Sequence, residues 1–152
     1  MRIKAFQTLC PPVKLAHLVA SVPYDTVNTE EARALAAGNP HSLLHVSRSE
    51  IDLPPGTDPY SGAVYERALH NFRKFQDDGT LTRETRPHIY VYRQVMGKHA
   101  QRGIVVCCHI EDYENNVILK HEKTRKDKED DRSRHIGTLR ANTGPVFLTY
   151  RD

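Results

Sequence analysis

Long apolar runs are missing from this sequence, which excludes a helical membrane span, since that needs about 20 consecutive apolar residues. The opening MRIKAFQTL has no apolar core ending in small residues, so a secretory leader is not expected and a cytoplasmic location follows. Cysteine is scarce. Cys10, Cys107 and Cys108 are an odd number without C-x-x-C spacing, which argues against both a disulfide framework and a zinc knuckle. Cys107 and Cys108 are neighbours in a predicted strand, point to opposite faces, and read as reduced core filler. No G-x-S-x-G elbow marks a serine nucleophile, and no internal repeat or low-complexity segment is present. A large excess of one charge is also lacking. The net charge is only +3, whereas binding duplex DNA through its phosphates needs a stronger and clustered excess, so DNA is not an expected partner.

What is present fits one domain spanning residues 1–152, with 38% hydrophobic and 27% charged residues and enough chain to bury a core. RIKAF at 2–6 predicts a first strand. LCPPVKLAHLVASVPYD, interrupted by three prolines, predicts connecting segments around a short helix or turn. Asn28 followed by Glu31 is a capping-box signature, so a helix is expected over about 29–37, closed by Gly38. SLLHV at 42–46 predicts a strand, and the proline-rich 51–59 a loop. Val64, Ala68, Leu69, Phe72 and Phe75 recur at spacings of three and four, which predicts a core-facing helix ending at Asp77-Asp78-Gly79. HIYVYRQV at 88–95 and GIVVCCHI at 103–110 predict a hairpin, with the second strand covered on both faces. PVFLTY at 145–150 predicts a last strand. The fold class is α+β: a mixed sheet with helices packed on it.

The densest chemistry lies in Ile118–Ile136, which holds seven Lys/Arg, five Asp/Glu and two His among three apolar residues. A helix capped by Thr124 and running from Arg125 toward Ala141 would carry Arg125, Lys128, Glu129, Arg132 and His135 on one broad face. Its first three turns have no apolar stripe to seat them. Like charges at Asp127/Asp131 and Lys128/Arg132 offset the attractive pairs Asp131/His135 and Lys128/Asp131. Two readings stand: a solvated charged helix, or a site for a phosphate-bearing ligand that uses the helix N-terminus and the forked guanidinium of Arg125. In the second reading Glu122, beside His121 ahead of the helix, is placed to take a hydroxyl proton. His-Glu alone lacks the second histidine of a zinc helix, so no protein-held metal is expected; Mg²⁺ held by one carboxylate and nucleotide phosphates fits such a site. The histidines elsewhere carry no functional signal, and His41 and His45 do not share a face in the predicted elements.

KAF near the start, VPYDTVNTEEARALAAGNPHSLLHVSRSEIDLPPGTDPY, YVYRQ, HIEDYENNVILKHEKTRKDKEDDR and TGPVFLTYRD together resemble the family called domain of unknown function 1015, over essentially the whole chain. Members are usually much longer, which implies that this chain is an N-terminal portion or a short form. The resemblance extends to the ParB/sulfiredoxin superfamily, whose members bind nucleotides at a short Glu-x-x-(x)-Arg segment leading into a helix; Glu122-Lys-Thr-Arg125 is similar to it. It implies a ParB/sulfiredoxin-like fold and a kinase that phosphorylates free L-serine to O-phosphoserine from ATP or ADP. Glu122 would be the base, His121, Thr124 and Arg125 would contact phosphates, and Lys128, Glu129 and Arg132 would stand around them. The superfamily also implies an alternative, a nucleotide-binding regulatory or DNA-binding module without transfer activity. No oligomeric state follows from either.

Overall fold

The computed structural model describes residues 1–120 and 124–149. Its contacts divide the chain into two compact units, one of residues 1–9 and 83–124, the other of residues 10–82 and 125–152. Helices and small antiparallel ladders coexist, so the class is α+β. In place of the expected single mixed sheet, the described β-structure consists of separate two-stranded ladders.

The first unit is built on strands. β1 (Ile3–Lys4) pairs antiparallel with β6 (Cys107–Cys108), with Ile3 opposite Cys108 and Lys4 opposite Cys107. The ladder is anchored by Arg2, whose guanidinium and backbone N–H both donate to the buried carboxylate of Asp112 in α5 (Ile110–Glu114). That arrangement holds the Asp112 carboxyl below its usual range, the backbone N–H of Arg2 contributing most. The predicted hairpin forms as β4 (Tyr90–Met96) and β5 (His99–Val105), joined by a two-residue loop in which Gly97 takes φ 61°, a conformation that suits glycine. The turn is therefore shorter than the β-former clusters suggested, and the second strand starts four residues earlier, at His99 rather than Gly103. The expected cover is missing: Val91, Tyr92, Val95, Met96 and Ile104 are all exposed. The near-continuous apolar run at 103–110 is divided between β5 and β6, and Ile104, Cys107 and Ile110 within it are exposed, so such a run is no proof of burial on both faces.

The second unit is helical. Two short strands, β2 (Leu9–Cys10) and β3 (Thr82–Arg83), fall where the chain passes from one unit to the other. After α1 (Ala16–Val19), α2 (Thr29–Ala36) starts with the predicted capping box: Asn28 accepts from the Glu31 N–H at 3.0 Å and Glu31 accepts from the Asn28 N–H at 2.8 Å. Gly38 follows at φ 73°. Ala32 and Ala36 pack with Leu44 and Ile51. α4 (Gly62–Asp77) buries Val64, Tyr65, Ala68, Phe72 and Phe75, the predicted stripe with Tyr65 added and Leu69 only half-buried. Gly79 closes it at φ 76°.

Two predicted strands of this unit are corrected. SLLHV contains a helical turn, α3 (Leu44–Ser47), with N–H bonds from Ser47 to Leu43 and from Arg48 to Leu44. Ser42, Leu44 and Val46 are buried in alternation, as strand residues would be, although the backbone is helical; a five-residue apolar run cannot separate the two. Among the described residues, 145–149 are irregular and Val146, Phe147 and Leu148 are exposed. β-formers make a strand only where a neighbouring edge accepts the pairing. The predicted loop at 51–59 begins inside a 3₁₀ turn, Ser49–Asp52.

Candidate functional site

The charged segment does form a helix, α6 (Lys126–Leu139), closed by Arg140 in the left-handed region at φ 52°. Arg125, not Thr124, occupies the N-cap, with extended backbone and no side-chain cap bond, so Thr124 does not cap it. His121 and Glu122, the predicted phosphate contact and base, lie outside the described residues.

A stripe at helical spacing seats α6 on the rest of its unit, and that stripe is polar. Lys128 donates from Nζ to the Tyr60 hydroxyl at 2.9 Å and sits 5.5 Å from the ring centre. Asp131 accepts from the Tyr65 hydroxyl at 2.7 Å. The Arg132 guanidinium lies 4.1 Å over the Tyr24 ring and donates twice to Asp131 Oδ2. His135, buried, approaches the Val46 carbonyl through Nε2 at 3.1 Å, and Leu139 is buried at the end. Arg134 adds a guanidinium 4.3 Å over the Tyr65 ring and a bond to the Tyr60 carbonyl. Hydrogen bonds to charged groups and cation–π contacts, each worth on the order of 1–2 kcal/mol when partly shielded, take the place of apolar burial.

The first turn is left to solvent. Arg125 donates to its near neighbour Asp127 at 3.1 and 2.7 Å, and Lys126 pairs with Asp130 at 2.6 Å. Both pairs are exposed, and Glu129 is exposed beside them. The hydrogen bonds that Arg125 donates lower the Asp127 carboxyl pKa, and the bond that Lys126 donates to Asp130 raises the pKa of its own ammonium. From Arg125 to Arg132 four cations face four carboxylates, so the segment is electrically balanced rather than cationic. Of the predicted phosphate contacts, Arg125 and Lys128 lie in the exposed first turn, with Lys128 already engaged on Tyr60, while Arg132 is committed to Asp131 and Tyr24. What the turn offers chemically is an uncapped helix N-terminus with exposed cations whose present ion pairs, being open to water, are weak. Among the described residues no group of three or more His, Cys, Asp or Glu gathers around a metal-sized space.

Two electrostatic features of this unit went unread in the sequence. Burial raises Tyr65 to about 12, reinforced by the bond to Asp131, and burial lowers His135. Separately, His45 meets the Asp52 carboxylate through Nδ1 at 2.8 Å and the Asn39 carbonyl through Nε2 at 3.1 Å, while Asn71 donates to Asp52 Oδ2 and to the His45 carbonyl. With an acceptor at each ring nitrogen the imidazole is favoured as a cation, and the bond to Asp52 raises its pKa. The signal for the polar stripe was present, as 128, 131, 132, 135 and 139 repeat at three and four. Nothing local pointed to its partners Tyr24, Tyr60 and Tyr65.

No helix is long and apolar enough to cross a membrane among the described residues. Neither a curated protein nor a solved structure matches the chain. The family model described as "Protein of unknown function (DUF1015)" matches residues 3–152, so the chain belongs to that family.

Proposed function

We propose that this chain is a ParB/sulfiredoxin-like, cytoplasmic nucleotide-binding domain that transfers a phosphoryl group to free L-serine. The observation that carries the reading is the division of labour along α6. Its middle is fastened through Tyr24, Tyr60 and Tyr65, while its uncapped first turn, with Arg125 and Lys126, stays open to a ligand. A phosphate group offers more charge and more acceptor oxygens than Asp127 or Asp130, and it would displace those exposed carboxylates from the cations. The similarity of Glu122-Lys-Thr-Arg125 to the superfamily's nucleotide segment supplies the base.

In the proposed step Glu122 takes the proton of the serine hydroxyl, and that oxygen forms a bond to the terminal phosphorus of ATP or ADP. The bridging bond to the nucleotide breaks, and the leaving oxygen keeps the electron pair. His121, Thr124 and Arg125 hold the phosphates, with Lys128, Glu129 and Arg132 around them. Mg²⁺ arriving with the nucleotide would share the charge. Phosphoryl transfer depends chiefly on positioning and charge neutralisation, which few side chains can provide.

Incubation with ATP or ADP, Mg²⁺ and L-serine, followed by ³¹P NMR, should yield O-phosphoserine. Glu122→Gln should bind nucleotide without making product, and Arg125→Ala should weaken nucleotide binding. Nucleotide binding by the parent chain with no phosphoserine identifies a regulatory binding module. Failure to bind nucleotide overturns the proposal and leaves the first turn as a charge-balanced surface open to water.

A further inference from the structure

The β4–β5 ribbon contains an unrelieved conflict. Val91 faces Ile104, Arg93 faces Arg102 and Val95 faces Ala100. Because side chains alternate along a strand, these three pairs share one face of the ribbon. Like charges directly opposite one another destabilise a ladder. Among the described residues neither Arg93 nor Arg102 meets a carboxylate, and the aliphatic residues on either side are open to water, Val91 at 76%, Val95 at 60% and Ile104 at 59%. The surrounding sequence deepens the conflict: residues 85–110 contain Arg86, Arg93, Lys98 and Arg102 and no Asp or Glu. That stretch carries +4 against +3 for the whole chain, which leaves −1 for the rest. Each strand also keeps an outer edge, since among the described residues β4 and β5 are paired only with each other.

We propose that the ribbon receives an extended segment of another protein as a third strand, and that this segment reads apolar-x-acidic-x-apolar. A strand added to either edge sets its alternate side chains on the same rows as the ribbon's own. Its carboxylate then falls on the Arg93/Arg102 row and supplies the missing counter-charge. Its two apolar residues cover the Val91/Ile104 row and the Val95/Ala100 row. A second copy of this chain does not fit, because it would bring Arg93 and Arg102 against cations of its own. A nucleic-acid backbone would satisfy the arginines but leave the flanking aliphatic rows uncovered.

The test uses the full chain and two fluorescent heptapeptides, Thr-Val-Thr-Glu-Thr-Val-Thr and the same peptide with its central Glu replaced by Lys. Anisotropy should show saturable binding of the first and binding about tenfold weaker of the second, which corresponds to 1.4 kcal/mol. Amide shifts should be confined to residues 90–105. Arg102→Glu, which leaves the row neutral, should abolish the preference, and Arg93→Glu combined with Arg102→Glu should reverse it, losing about tenfold on the Glu peptide and gaining on the Lys peptide, a result that an unfolded ribbon cannot give. Equal affinity for the two peptides, no binding of either, or stronger binding of a single-stranded oligonucleotide at physiological salt would overturn the proposal.

Discussion

Tyr65→Phe tests what holds the charged helix to its unit. The substitution removes one hydroxyl and leaves the ring, which is 4% exposed, packed in α4 beneath Arg134. It opens no cavity, so its cost is that of the 2.7 Å bond to Asp131. A hydrogen bond to a charged group contributes about 1.5–3 kcal/mol net. Asp131 keeps two bonds from Arg132, so the lower end applies, and about 1.5 kcal/mol is a little over tenfold in an opening equilibrium. Native-state hydrogen exchange reads this locally: amides from Asp131 to Leu139 should exchange about tenfold faster, while those of α2 stay as they were. Alkaline titration at 295 nm provides a second reading, because the phenol component near pH 12 should disappear from the variant. If the α6 amides exchange within twofold of the parent rate, the tyrosine–aspartate latch is not what seats the helix.

Stability should fall as pH rises through the folded-state pKa of His45. Its bond to Asp52 raises that pKa above 6.5, so its contribution is complete below 6.5 and lost above the raised value. Lys74 and Arg67 also face the pair and oppose or support it through charge. His45→Gln should flatten this alkaline-side decline in urea melts between pH 5 and 8. His135 acts with the opposite sign: burial depresses its pKa, so stability drains as pH falls from 6.5 toward the depressed value, and His135→Gln should remove that loss. Asn28→Ala breaks the capping box and should cost about 1 kcal/mol, measured by urea unfolding followed by far-UV circular dichroism. Phe75→Ala, at a side chain 2% exposed, should cost about 3–5 kcal/mol in the same melts.

Elements specified by neighbours in sequence were legible, and those specified from a distance were not. The Asn28/Glu31 box, the α4 stripe and the existence of the hairpin depend on residues within a few positions of each other. SLLHV was misread because so short an apolar run reads alike as strand or helix, and hydrogen bonds to Val19 and within its own turn bend the backbone. Among the described residues, 145–149 of the last apolar run pair with no strand. For the site, the charged helix and the absence of an apolar stripe could be read directly. The three tyrosines that replace that stripe come from positions 24, 60 and 65, and no spacing rule connects them to Arg132, Lys128 and Asp131. The His45 clamp was missed for the same reason, since it needs Asn39, Asp52 and Asn71 to converge.

The joining of Ile3 to Cys108, and of Arg2 to a carboxylate 110 positions away, sets a waiting time during synthesis. At about 5–20 residues per second, a ribosome takes roughly 5–20 s to supply the second half of that ladder after the first has emerged. Every element of the α1–α4 segment is made within that interval. Ile3 and Arg2 therefore stay without their partners while the whole α1–α4 segment is made.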